Sequence, residues 1–178
     1  DEAHSTGILG QSGSGIAENA DFIIGTFGKA MGGYGSYVAC SNEIREYLIN
    51  KCGGFIYTTS LPPSVLGSID ASLDIVPKMN YEREKVKNLS IYFREKLKEQ
   101  NFFYTDSNTH IIPIVTGNLV EGKKLLKHFR DLGIWVKLIF PPTVPNEKIC
   151  LRFSLCEFHN FDDINLIMEA FKFFKKKI

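Results

Sequence analysis

The chain begins with short apolar runs punctuated by glycine and proline, then changes to longer stretches of helical period. Residues 21–26 and 36–40 read as two short strands flanking a Gly-rich turn. Asn42 can cap a helix over 42–50, with Glu43 and Glu46 near its N-terminus, and Gly53-Gly54 ends it. Residues 55–60 again read as strand, up to Pro62-Pro63. From residue 63 the pattern is helical to 76, and a second helix over about 81–100 carries Val86, Leu89, Phe93 and Leu97 on one face. Beyond it come a strand at 111–115, a helix at 121–132, a strand at 134–139 and a proline loop at 141–145. A strand at 149–155 and a closing helix at 161–176, burying Ile164, Ile167, Met168 and Phe171, complete the chain. This alternation predicts an α/β fold, with the domain boundary near the long charged helix: residues 1–76 on one side and 77–178 on the other. Residues 1–15 are polar and rich in Gly and Ser, so a strand end at 1–4 should run into a loop. Because the chain opens on Asp1-Glu2-Ala3-His4 without an initiator Met, further residues are expected upstream.

With 178 residues, 44% of them hydrophobic and 12% aromatic, the chain can bury a real core. A net charge of +1 and a pI near 7.8 give no field favouring nucleic acid or an anionic membrane. The basic run Lys172 with Lys175-Lys176-Lys177 reads as a solvated helix end suited to the helix dipole. No apolar span is long enough to cross a bilayer, and the acidic start is unlike a signal peptide. A soluble, cytoplasmic protein without nucleic-acid or membrane partners is expected. Cys40, Cys52, Cys150 and Cys156 include no pair two residues apart, and His4, His110, His128 and His159 show no metal spacing. Reduced core thiols and no metal are expected.

The chemistry centres on Thr26-Phe27-Gly28-Lys29-Ala30-Met31-Gly32-Gly33-Tyr34-Gly35, where one lysine stands among small residues at the end of a strand. Glycines on both sides let the backbone approach a bulky planar or phosphorylated ligand, and Thr26 adds a hydroxyl and an N–H. Such a display suits a Schiff-base lysine, whose amine must be neutral to act as a nucleophile. A solvated lysine in a Gly-rich turn fits these ten residues equally well. Asp1, His4 and Arg152 are further candidates. A carboxylate and an imidazole three residues apart at a strand end, followed by a strand ending in lysine, fit a cofactor whose ring nitrogen needs an anionic partner. Pyridoxal phosphate has that need. Taken singly, each residue has a plainer reading as a structural histidine, a strand-end acid or an ion-paired arginine. Asp-Glu-Ala-His also spells a helicase motif, but that reading needs a Gly-Lys-Ser/Thr phosphate loop, and here Lys29 precedes Ala30.

The ordered set goes further. Asp1-Glu2-Ala3-His4-Ser5-Thr6-Gly7, Thr26-Phe27-Gly28-Lys29-Ala30, Tyr57-Thr58-Thr59-Ser60-Leu61-Pro62-Pro63, Pro141-Pro142-Thr143-Val144-Pro145 and Leu151-Arg152-Phe153-Ser154 resemble motifs of the α-oxoamine synthases. These are pyridoxal-phosphate enzymes of the aminotransferase fold type I. The resemblance implies that residues 1–76 are the C-terminal part of a large cofactor domain with a mixed or parallel sheet, and 77–178 a small α/β domain. It implies Lys29 as the Schiff-base lysine, Asp1 as partner of the pyridine nitrogen, and His4 beside the cofactor's phenolic oxygen. Thr26 is implied as a phosphate ligand, and Thr58 as a ligand to the phosphate of the neighbouring subunit in a homodimer. Arg152 is implied to pair with the amino-acid carboxylate, with Ser154 as a minor contact. The Pro141–Pro145 loop and Gly33-Tyr34-Gly35 look most like the biotin-pathway member, which condenses L-alanine with a pimeloyl thioester, on CoA or acyl carrier protein, with loss of CO2. A sibling using glycine or serine with another acyl group, and a non-catalytic partner subunit or remnant, are the alternatives. One departure stands at Cys156-Glu157-Phe158-His159, where relatives usually carry Ala-Ala-His; it puts local packing in question.

Overall fold

The computed structural model describes residues 1–102, 104 and 107–175, with side chains described as far as residue 172. Lys176 and Lys177, the end of the expected basic run and of the expected closing helix, lie outside the described residues. The chain divides into two compact units, Asp1–Arg83 and Glu84–Ile178.

In the first unit β1 (Phe22–Thr26) and β2 (Ser36–Cys40) form an antiparallel hairpin, with Phe22 opposite Cys40 and Ile24 opposite Val38. Strand alternation puts Phe22, Ile24, Val38 and Cys40 on one face and Ile23, Gly25, Tyr37 and Ala39 on the other. Helix α1 (Asn42–Lys51) is capped by Ser41 rather than Asn42: Ser41 holds extended backbone angles and its hydroxyl accepts from Ile44 N at 3.4 Å. The expected strand over 55–60 is absent. A strand needs a neighbour for its backbone groups, and here the N–H groups of Phe55, Ile56 and Tyr57 donate instead to Cys52 O and Gly53 O, forming the single turn α2 (Gly53–Ile56). Nor is there a strand end at 1–4; this segment is a turn, tied to β1 by one bond from Glu2 N to Ile24 O, 2.7 Å. Helix α3 (Pro63–Ile75) starts with proline in its first turn and continues into a tighter turn at Val76–Lys78. Arg83 satisfies the carbonyls there, donating to Val76 O at 2.6 Å and Pro77 O at 2.8 Å.

The second unit consists of α4 (Asn80–Glu99), β3 (Ile111–Val115), α5 (Leu119–Asp131), β4 (Lys137–Ile139), β5 (Cys150–Ser154) and α6 (Phe161–Lys175), α4 beginning just before the division. Its antiparallel sheet has the order β3-β5-β4, so Pro113 lies on an edge strand, where a missing N–H is tolerated. Ile112, Ile114, Leu151 and Phe153 alternate inward to meet Leu89, Phe93 and Leu97 of α4, Phe129 of α5 and Phe171 of α6. Phe129 stands edge-on to both Phe153 (5.5 Å between centroids) and Phe171 (4.8 Å) at the centre. The strand expected over 134–139 shrinks to three residues because the chain first closes α5: Gly133 takes φ +76° and Ile134 N donates back to Phe129 O. The four cysteines are free thiols, but only Cys150 is buried; Cys40 and Cys52 are half-buried and Cys156 is exposed, against the expectation of core thiols throughout.

Candidate cofactor and substrate site

Lys29 sits where the hairpin turns. Phe27 N donates to Gly35 O (2.9 Å), Gly33 N to Phe27 O (2.7 Å) and Gly32 N to Lys29 O (3.0 Å), so the loop 27–35 is closed by its own backbone. Gly32 and Gly35 take φ of +64° and +100°, values a side chain disfavours. From below, Ser72 of α3 donates its hydroxyl to Met31 O at 2.7 Å, and Met31 is buried. The result is a fixed loop with one exposed cation: Gly28, Lys29 and Ala30 all face solvent.

Thr26 is half-buried; its hydroxyl donates to Gly35 O (2.9 Å) and accepts from Gly28 N (3.1 Å), bracing the loop in this structure. Asp1 and His4 are exposed on the turn tied to β1, with one Asp1 oxygen accepting Ala3 N at 2.7 Å. Thr58 lies exposed in the irregular stretch after α2, its hydroxyl 3.4 Å from Thr59 O. Asp1, His4, Thr26, Lys29 and Thr58 thus belong to the first unit.

Arg152 and Ser154 belong to the second. They are two apart on β5 and share the face opposite Leu151 and Phe153. Arg152 pairs in register with Pro113 on one side and Lys137 on the other, a like-charge neighbour that disfavours the pair unless an anion joins it. Its Nε is buried without a hydrogen-bond partner. Beside it, burial pushes the Cys150 thiol above its ordinary range, a tendency the Arg152 charge opposes. At the departure from the usual motif, Cys156 N donates to His159 Nδ1 (3.0 Å) and Asn160 Oδ1 accepts from Asp162 and Asp163 N, so the turn into α6 is closed without the alanines.

Two things escaped the sequence. One is Lys137, whose cross-strand position needed the β4–β5 register. The other is Glu2, buried although it stands between two exposed site candidates; an acid next to a Gly-rich loop was its only signal.

These residues fit pyridoxal phosphate. An exposed amine stands on a loop whose glycine at 32 leaves open space, with no atom within 4 Å of an added Cβ, and Asp1 keeps its carboxylate at the surface. The orphaned Nε of Arg152 beside Lys137 fits a carboxylate. Among the described residues no cluster of three or more metal-ligating side chains occurs, and no helix is long and apolar enough to cross a membrane.

The chain is 39% identical over 96% of its length to a putative 8-amino-7-oxononanoate synthase of Desulfosudis oleivorans, and covers 45% of that protein. The solved 8-amino-7-oxononanoate synthase of Francisella tularensis superimposes with a TM-score of 0.86 at 28% identity, over 99% of this chain and 55% of its own. A serine palmitoyltransferase of S. paucimobilis, solved with a bound PLP-myriocin aldimine, gives 0.88 at 27% identity, over 96% of this chain and 45% of its own. The chain therefore spans about half the length of the relatives it matches. A family model described as aminotransferase class I and II matches residues 1–165, so the chain belongs to that family.

Proposed function

We propose that the chain is part of a pyridoxal-phosphate-dependent acyltransferase of the α-oxoamine synthase type, which joins an amino acid to an acyl thioester with loss of CO2. The observation that carries this reading is the rigid loop 27–35 with Lys29 as its exposed amine. When bound, the cofactor supplies an electron sink for a carbanion at the substrate's α carbon. Lys29 holds the cofactor and then accepts and returns the α proton at Nζ. Asp1 keeps the ring nitrogen protonated, His4 donates toward the phenolic oxygen, and Thr26 contributes to the phosphate site. Arg152 takes the amino-acid carboxylate through its guanidinium, with Ser154 beside it. In a homodimer Thr58 reaches the phosphate of the neighbouring site. In this reading residues 1–76 come from the large cofactor domain and 77–178 form the small one.

For the member, L-alanine and a pimeloyl thioester giving 8-amino-7-oxononanoate fit best, because the Desulfosudis oleivorans relative at 39% identity is named a putative 8-amino-7-oxononanoate synthase and the Francisella tularensis structure at 28% carries the same enzyme name. The likeness to serine palmitoyltransferases supports a sibling reading with serine and a longer acyl group. The visible spectrum of the protein with pyridoxal phosphate tests the cofactor: a band that vanishes in Lys29→Ala is expected, and its persistence in that variant overturns the assignment. Turnover of alanine, glycine and serine against several acyl thioesters decides the member, and activity with glycine alone removes our preferred one.

A further inference from the structure

Glu2 is 2% exposed although its neighbours Asp1 and His4 face solvent. Its Oε1 accepts from Ile16 N at 2.8 Å and also from Ala17 N, while Oε2 is buried without a partner. The loop 7–17 is shaped around this carboxylate. Gly7, Gly10, Gly13 and Gly15 all take positive φ, and Gly7 N and Gly15 N bond to Gly13 O and Leu9 O, both at 2.8 Å. A Cβ on Gly15 would stand 2.7 Å from Oε2. Gly-rich loops commonly wrap an external anion; this one wraps an anion of its own chain.

The backbone of Glu2 is held as firmly. Its N–H donates to Ile24 O of β1 (2.7 Å), and its carbonyl accepts from Ser5 N (3.1 Å), Thr6 N (2.9 Å) and the Thr6 hydroxyl (2.9 Å). Thr6 in turn meets the Tyr37 hydroxyl of β2 at 2.8 Å. A buried carboxylate is a costly way to fill space, and an apolar side chain of that size serves packing better. What a carboxylate adds is direction, because charge-assisted bonds to two successive amides fix both the loop and the residue that bears the charge.

We propose that Glu2 is a positioning residue. Its clasped carboxylate fixes residue 2 between loop and hairpin and so sets how Asp1 and His4 are presented to the cofactor. The second half of this statement rests on the proposed roles of Asp1 and His4.

The test compares wild type, Glu2→Ala, Glu2→Gln and Gly15→Ala, with Leu48→Ala in α1 as a control for general destabilisation. In Glu2→Ala, amide exchange at Ile16 and Ala17 should speed up by about ten- to a hundredfold, the loss expected for hydrogen bonds to a charged group. The His4 imidazole resonances should move in the cofactor-free protein. With pyridoxal phosphate, the pH midpoint of the visible band should shift and affinity should fall, effects that Leu48→Ala lacks. Glu2→Gln, which keeps one acceptor, should lie between, and Gly15→Ala should reproduce the shift from the loop side if Glu2→Ala does not fold. Unchanged exchange at Ile16 and Ala17 overturns the clasp. Faster exchange with His4 and the band midpoint unmoved overturns the positioning role. Absence of a band in wild type removes the cofactor reading, and the His4 resonances then decide the positioning role on their own.

Discussion

Among the described residues, one cluster of the second unit gathers eighteen buried apolar side chains, whereas the first unit buries Met31 and Ile69 alone. The two regions are of similar length, but the chain spans about half the length of its relatives, so the contrast is one of contacts made within residues 1–178. The second unit is built by the hydrophobic effect, with three helices laid over one face of a small sheet. Within residues 1–178 the first shows directed polar contacts: the Glu2 clasp, the Thr26 brace, the Ser72 bond to Met31 O and the Arg83 cap. It leaves Phe22, Ile24 and Val38 about half exposed on one face of its hairpin. The candidate site residues Lys29, Asp1 and His4 stand in the first unit.

The largest test of the contrast is Phe129→Ala. This ring is fully buried and meets Phe153 and Phe171 edge-on. Its truncation should destabilise the second unit by about 3–5 kcal/mol, read from urea unfolding and from exchange of the β5 amides. A loss below about 1 kcal/mol, smaller than ordinary core truncations give, would remove the claim that one cohesive core supports Arg152.

A smaller effect is expected from Gly25→Ala in β1. An added Cβ would lie 2.3 Å from the Tyr37 ring, which is held by Phe27 (5.2 Å between centroids) and by the Thr6 hydroxyl. The ring must move and give up one of these contacts, costing about 1–3 kcal/mol. Because Phe27 packs on Tyr37 and its own N–H and carbonyl close the loop 27–35, the change should also raise the mobility of that loop, seen as faster exchange at Phe27 N and Gly33 N. Unchanged exchange there would separate the hairpin packing from the lysine loop.

How far the sequence could be read follows the same division. The α4 face Val86, Leu89, Phe93 and Leu97, the strand at 111–115 and the residues that α6 buries were all legible, since hydrophobic periodicity records burial and the second unit is built from burial. The errors lie where local bonding overrides propensity. Phe55-Ile56-Tyr57 has strand-forming residues but turns back on Cys52 and Gly53, whose carbonyls take up its N–H groups locally. Ser41 displaces Asn42 as the cap by one residue, within the usual blur of helix ends. Among the candidate site residues, the placement of Lys29 in a Gly-rich turn and of Arg152 on a strand was legible. Glu2 was not, because burial of an acid is decided by amides fourteen and fifteen residues away, which no period along the chain records.

The smallest effect is the most informative about the first unit. Ile24→Thr keeps a β-branched side chain on the exposed hairpin face and removes apolar surface that is already 51% exposed. If nothing covers that face, stability should change by no more than about 0.5 kcal/mol, as at other surface positions. Exchange of the Ile23 and Ala39 amides measures it at the site, over a range of protein concentrations. A loss of about 2 kcal/mol or more that grows with concentration would mean that the face is buried against a second copy in solution, since only burial gives one isoleucine that weight. The contrast between the two units would then be one between a core closed within the chain and a core completed by association.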